Sequence, residues 1–179
     1  NSFVLDEHAR QPVPGMAVLL ERLARDNPGA PILYLSTGAW NVAPTLVRFQ
    51  RRHLFPFGAM LLTDWGPTHD RWFRSGKEHK RENLRRLADE FPQINWLLIG
   101  DDGQRDDEIY TEFTIEHPDQ VAAVAIRRLT PTEAVLAGGR TAVDDHSAAR
   151  VPWVTGDDGA ELLERLTDVD IVRDVPPSS

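Results

Sequence analysis

Short stretches that are apolar at every position alternate along this chain with longer stretches whose apolar residues recur every three or four positions. The first kind falls at residues 31–36, 59–63, 94–99 and 120–126, where runs such as Ile32-Leu33-Tyr34-Leu35 and Trp96-Leu97-Leu98-Ile99 leave no polar face. Strands buried on both sides of a parallel sheet have this character. The second kind falls at 15–26, 44–53, 77–91, 107–117 and 159–166, and predicts amphipathic helices. Met16, Leu19, Leu20 and Leu23 share one helical face; Leu46, Phe49 and Leu54 are expected to point inward; Leu84, Leu87 and Phe91 form a third stripe, with Arg81, Arg85 and Arg86 on its solvated side.

The punctuation agrees with this division. Pro12 and Pro14 keep residues 1–14 a loop. Asn27-Pro28-Gly29 stops the first helix, and Pro92 stops the third. Residues 64–76 read as a long loop, and 128–150 as another loop around a short helix at 131–136. Residues 151–154 suit a fifth, edge strand, and Asp157 or Asp158 is placed to cap the last helix. Residues 1–173 make one domain and 174–179 a disordered tail. Strand and helix alternate about four times with short connections, which predicts a doubly wound, mainly parallel α/β sheet.

Composition narrows the partners. The 179 residues carry a net charge of −8, with 28 acidic against 20 basic side chains, and contain no cysteine. An acidic chain is a poor match for nucleic acid, and disulfides and thiolate metal sites are excluded. No apolar run is long enough for a transmembrane segment. Without an export signal the default compartment is the cytoplasm; a peripheral place at a membrane is the variant a lipid substrate would require. The composition is silent on oligomeric state.

In a parallel α/β fold all strands end on the same rim, where ligands bind. Three polar clusters fall there. Ser36-Thr37-Gly38 can hold a phosphate oxygen through a hydroxyl and free N–H groups; the ordinary alternative is a turn or cap. Lys77 or Lys80, at the start of the 77–91 helix, can neutralise a phosphate; the alternative is a solvated basic face. Asp101, Asp102 and Asp106 follow the strand at 94–99. Carboxylates gathered there call for a hard cation such as Mg²⁺, although Asp-Gly pairs are also common in turns. A hydroxyl, a lysine and a carboxylate cluster on one rim describe a Mg²⁺-dependent phosphoryl-transfer site.

These segments are Arg10-Gln11-Pro12-Val13-Pro14-Gly15-Met16, Leu33-Tyr34-Leu35-Ser36 with Trp40-Asn41, His79-Lys80, and Phe91-Pro92 leading into Leu98-Ile99-Gly100-Asp101-Asp102-Gly103-Gln104-Arg105-Asp106-Asp107-Glu108-Ile109-Tyr110, with Val151-Pro152-Trp153-Val154-Thr155-Gly156-Asp157-Asp158-Gly159 as a closing stretch. Together, from about Arg10 to Leu166, they resemble the haloacid dehalogenase-like superfamily. Within it the chain resembles the catalytic domain of the actin-patch-associated, Mg²⁺-dependent phosphatidate phosphatases and their bacterial relatives. The resemblance implies that Ser36 bonds the transferring phosphoryl group and that Lys80, with Lys77 as the fallback, stabilises it. It implies that Asp101 binds Mg²⁺ and that Asp106 is a second ligand or a partner of the ion's water shell. Asp102 stands where relatives carry Ser, so its role is open, and Thr37-Gly38-Ala39-Trp40 replaces the usual Ser-Ser-Pro-Trp.

The superfamily's nucleophile motif, Asp-x-Asp-x-Thr, does not occur in the chain. The resemblance therefore places it upstream of Asn1, on a central strand of a longer polypeptide. On that expectation strands 31–36 and 94–99 flank an empty slot, and the 179 residues alone fold poorly and show no turnover. The competing expectation is a non-catalytic binding or scaffold module. A weaker one lets the loop from Trp65 to Arg74 meet a lipid headgroup region; packing of its aromatic residues on the core is the favoured account.

Overall fold

The computed structural model describes residues 12–63, 72–103, 106–136, 146 and 149–173. Helix α1 (Met16–Asp26) leads to β1 (Leu33–Ala39), a 3₁₀ turn at Trp40–Val42, α2 (Ala43–Arg52) and β2 (Ala59–Thr63). Helix α3 (Trp72–Glu90) follows, then β3 (Trp96–Asp101), α4 (Asp106–Glu116), a 3₁₀ turn at Pro118–Gln120, β4 (Val121–Arg127), α5 (Pro131–Leu136), β5 (Trp153–Gly156) and α6 (Gly159–Asp168). Every strand pairing is parallel, and the fold is the mixed α/β, doubly wound type that the alternation predicts.

The ladder has two parts. Strands β1 and β2 form one sheet, and β3, β4 and β5 form another in that order, with β5 at the edge. One core cluster lies on the face of β3–β5 covered by α3 and α4 and includes Leu84, Ala88, Leu98, Ile109, Phe113 and Val124. A second lies under α1 and α6 and includes Leu19, Ala123, Ala125, Leu162 and Leu166. Helices α1 and α6 meet backbone to backbone. A Cβ built on Gly159 would lie 2.3 Å from the Gly15 carbonyl carbon, and Gly15 itself has φ +70°. The Gly159 N–H donates to the Pro14 carbonyl at 2.9 Å. Only glycine meets both demands at position 15. Of the two candidate caps, Asp158 is the one that acts: its Oδ1 accepts from the N–H groups of Ala160 and Glu161 at 2.9 and 3.0 Å.

Several expectations are corrected. Helix α3 starts at Trp72, not at residue 77, so part of the expected 64–76 loop is helical. Gly76 looks like a helix breaker but serves a close approach: a Cβ there would stand 2.9 Å from the Thr37 Cγ2. Residues 64–71 of the expected aromatic loop lie outside the described residues. Strands β1, β3 and β5 begin and end about two positions later than the apolar runs suggest. Leu54 is 80 % exposed rather than inward, at a left-handed φ of 59°, and Phe91 is 39 % exposed. Arg81 and Arg85 are not simply solvated. Each makes a two-pronged bond across to α4, Arg81 to Glu112 at 2.6 and 2.8 Å and Arg85 to Glu116 at 2.8 and 2.7 Å.

Candidate active site

Strands that run parallel deliver their last residues to one rim. β1 ends in the stretch Ser36 to Ala39, β3 in Gly100-Asp101, and β4 in Arg127. Helix α3 passes over this rim and brings Lys80. A cavity of about 610 Å³ opens there, lined by Ser36, Thr37, Lys80, Asp101, Asp106, Tyr110 and Arg127 at its polar end. Four of the residues singled out in the sequence, Ser36, Lys80, Asp101 and Asp106, thus come from β1, α3, β3 and α4 to one wall-lined space.

Backbone detail explains the placement. β1 loses regular register with β2 between Leu35 and Ala39. In that irregular stretch the Ser36 Oγ accepts the Gly38 N–H at 3.1 Å. The Thr63 hydroxyl reaches across from β2 to the carbonyls of Thr37 and Gly38, both at 3.3 Å. On the other side, Gly100 admits α4 to the end of β3. A Cβ on Gly100 would lie 2.7 Å from both Cβ and Oδ2 of Asp106. The Asp101 N–H faces that Oδ2 at 3.4 Å, and the Tyr110 hydroxyl donates to the Ile99 carbonyl at 3.1 Å.

The charges are paired but crowded. Lys80, 7 % exposed, donates through Nζ to Oδ1 of Asp106, 6 % exposed. Burial raises the Asp101 carboxyl above its ordinary range, and the neighbouring Asp106 charge raises it further. The Gly103 N–H, which donates to Asp101 Oδ1 at 2.9 Å, acts against this, as do Lys80 and Arg127. Two carboxylates held this close, one of them resisting ionisation, offer hard oxygen donors to a cation. Mg²⁺ commonly uses one or two protein carboxylates and completes its shell with water and substrate phosphate, so the donor set fits it. Among the described residues no group of three or more acidic or histidine side chains stands in metal-binding geometry.

The remaining candidates separate. Thr37 lines the cavity, whereas Lys77 and Asp102 do not. Lys77 is half-buried, a turn before Lys80. Asp102 is a tether: its Oδ1 accepts the Leu129 N–H at 2.8 Å and its own N–H donates to the Arg127 carbonyl at 3.1 Å. This ties the segment after β3 to that after β4. Arg127 was not singled out in the sequence. It closes the apolar run of β4 with a charge, the same signal that marks Asp101 after β3. Its guanidinium holds Glu133 at 3.1 and 3.2 Å, which with the Thr130 N–H lowers the Glu133 carboxyl to about 2.

Fold and rim define a parallel α/β domain with an acid–lysine–hydroxyl site at its carboxyl edge. Compared with known families, residues 1–128 match the model of the phosphatidate phosphatase APP1 catalytic domain, and the chain belongs to that family. The family implies a phosphatase, with a lipid phosphate ester as substrate. The matched span includes Ser36, Lys80, Asp101, Asp106 and Arg127; the closing stretch Val151 to Gly159 lies beyond it. No curated protein and no solved structure matches the chain. Among the described residues no helix is long and apolar enough to cross a membrane.

Proposed function

We propose that this rim hydrolyses a phosphatidate-type phosphate monoester with Mg²⁺, by aspartyl-phosphate chemistry. The observation that carries the reading is the convergence of Ser36, Lys80, Asp101 and Asp106 on one cavity end from four separate elements. Asp101 and Asp106 would hold the ion, which supplies charge neutralisation at the transferring phosphoryl group. The Ser36 hydroxyl, with Thr37 beside it, binds a phosphoryl oxygen. Lys80 balances the charge that builds there, and its burial strengthens that interaction.

The nucleophile is the aspartate of the Asp-x-Asp-x-Thr segment that the family resemblance implies. Its oxygen forms a bond to phosphorus as the ester P–O bond breaks, and the departing alkoxide takes a proton from a second carboxylic acid of that segment. Water then attacks phosphorus, releasing inorganic phosphate and restoring the carboxylate. The site works at the cytoplasmic surface of a membrane, where the lipid presents its headgroup.

The test is Asp101→Asn in the full-length gene product. Removing a carboxylate that holds the ion should lower Mg²⁺-dependent phosphate release from phosphatidate in mixed micelles by more than roughly 100-fold, since even outer-shell losses cost 10–100-fold. The melting temperature should hold or rise, because Asp101 is ionised against burial and a neighbouring charge. Full activity in this variant would rule out the assignment. Binding of phosphatidate without turnover in the unaltered protein would favour a scaffold instead.

A further inference from the structure

Charge is distributed unevenly along this chain. Residues 27–63 hold Arg48, Arg51 and Arg52 and not one aspartate or glutamate, so the whole acidic excess comes from the rest of the sequence. The basic stretch is the β1–α2–β2 unit with its connections. Helix α2 is the crossover between two parallel strands, so it runs back from the rim. Its first turn follows the rim end of β1, and its last leads to the start of β2. Pro44, Arg48, Arg51 and Arg52 are exposed at helical spacing, which puts them on one face. Leu46 and Phe49, on the other side, line the cavity. Trp40 stands 51 % exposed at the rim end of this face, and Leu54 and Phe57 stand 80 % and 91 % exposed at its far end. We propose that Trp40, the arginines of α2 and the turn bearing Leu54 and Phe57 together dock on the surface of a bilayer that contains anionic lipid.

A single exposed apolar side chain is ordinary. Three observations set this group apart. The first is that the turn after α2 is built to hold two of them outward. Phe55 turns inward, lines the cavity and packs near Phe49, with ring centroids 6.0 Å apart. Its N–H donates to the Gln50 carbonyl at 2.9 Å, and the Tyr34 hydroxyl donates to the Pro56 carbonyl at 2.7 Å. Residues 55 and 56 are thus pinned from inside, and the side chains on either side of them are left outside.

The second observation is the backbone of Leu54. Its φ of 59° is left-handed, a region in which a bulky side chain is crowded and glycine or asparagine sits relaxed. Neither burial nor backbone geometry accounts for a leucine there. Strain of this kind persists where the side chain itself is used.

The third is the match between the charge and the apolar ends. An amphipathic helix lying in the headgroup plane meets lipid phosphates with its basic residues and sends apolar side chains into the acyl boundary. Tryptophan suits the same depth. The ten residues of α2, at about 1.5 Å each, separate the two apolar ends by about 15 Å. The face is therefore convex, with apolar tips at both ends and basic side chains between them. A bilayer yields around such tips, whereas a protein partner must offer a closely packed complementary surface. Docked this way, the strands lie along the bilayer. The rim end of β1, which leads directly into Trp40, comes to the level of the headgroups. That a lipid phosphate then enters the site rests on the function proposed above; the docking does not.

The experiment uses the full-length gene product and vesicles of phosphatidylcholine, alone or with about one third phosphatidylserine. Both are free of phosphatidate, so the candidate active site has no substrate to hold. Co-sedimentation should show binding to the anionic vesicles, loss of that binding in high salt, and much weaker binding to the neutral ones. Arg51→Gln should weaken it about fivefold. Leu54→Asn combined with Phe57→Ser should weaken it by more than about tenfold. The melting temperature of that double variant should hold or rise, because asparagine accepts the left-handed backbone. Hydrolysis of a water-soluble phosphate monoester should be equal in parent and variants, while hydrolysis of phosphatidate in anionic vesicles should fall with the binding.

Vesicle binding that depends on these residues, without hydrolysis of either substrate, would leave the docking face standing and count against the phosphatase reading. Equal binding to neutral and anionic vesicles would overturn the proposal, as would binding unchanged in the double variant. Binding to polyglutamate in place of vesicles would also overturn it, by making the partner an acidic protein. So would a dimer in solution that Phe57→Ser dissociates, because the face would then be covered by a second copy of this chain.

Discussion

The two half-sheets are built from the same parts and end in different states. In the β3–β5 half, β4 is buried at six of its seven positions. Leu162, Leu166, Ala123 and Val124 are fully inaccessible. In the β1–β2 half, no residue of β1 is fully buried and neither is any residue of α2. Strand direction, apolar content and crossover helices are alike in both. The difference is that β4 has a neighbour on each side, whereas among the described residues β1 has a neighbour on one side only. An all-apolar strand sequence specifies a central strand, but its burial is completed by whatever pairs with its second edge.

The sharpest way to break this comparison is to remove equivalent side chains from both halves. Leu162→Ala, in the closed half, should destabilise by about 2–5 kcal/mol, through lost burial plus an unfilled cavity. Leu46→Ala lines the open cleft, where solvent already reaches the site, and should cost less than about half as much. Urea melts of the two variants give the comparison directly. Equal losses would mean that the β1 half is as well packed as the other.

A second effect lies at the seam between rim and core. Gly100→Ala forces a methyl group against the Asp106 carboxylate and the Tyr110 ring. Overpacking of this kind costs about 1–3 kcal/mol. Because α4 must move, the ion pair of Lys80 with Asp106 should loosen as well. In full-length protein, phosphate release should therefore fall more than the melting temperature alone explains. A control Gly29→Ala, with φ +85° but open space around it, should lower stability by strain and leave turnover unchanged.

A third, smaller effect tests the capping of α6, the helix that closes the second core cluster. Asp158→Ala removes the acceptor for two first-turn N–H groups and should cost about 1 kcal/mol. Asp157→Ala should cost less, because that side chain is exposed and bonds outward to Arg128 at 2.7 Å. A reversed order in thermal melts would shift the cap to Asp157.

Much of this was legible in the residues. Strand β2 and helix α5 have the bounds that their sequences predict, because Gly58 and Thr130-Pro131 punctuate them. Ser36 and Asp101 stood out because each is a polar residue ending an apolar run; Asp101 closes β3, whereas β1 runs on past Ser36 to Ala39. The same rule would have found Arg127, hidden behind the more conspicuous acidic cluster. Gly76 sits inside α3 although helix propensity disfavours glycine, where it makes room for Thr37. The pairing of Arg81 and Arg85 with α4 was not legible, since partners 31 residues apart leave no local pattern.

The smallest effect concerns how the rim titrates. Glu133 lies at about 2 because it accepts from the Arg127 guanidinium and the Thr130 N–H, whereas an unfolded glutamate lies near 4.5. Its folded value is depressed, so the unfolded chain binds the proton first as pH falls. The stability it contributes is present above about 4.5 and is lost as pH falls towards 2. Its side chain is 40 % exposed, so solvent screens the pair and the effect is modest. Asp101, the register partner of Arg127 across β3 and β4, has the opposite sign: its folded value is raised, so its ionisation costs stability, and that cost is relieved on acidification. Two carboxylates near one guanidinium therefore pull the pH dependence in opposite directions. Melting curves of Glu133→Gln and Asp101→Asn against the parent chain, from pH 2 to 7, separate them. Glu133→Gln should be the less stable protein at pH 6 and converge on the parent near pH 2. Asp101→Asn should be the more stable protein at pH 6 and converge as the parent's own Asp101 takes up its proton. Parallel curves for Glu133→Gln would show that its pair with Arg127 does not contribute to stability, and parallel curves for Asp101→Asn that burial and Asp106 do not hold that carboxyl up.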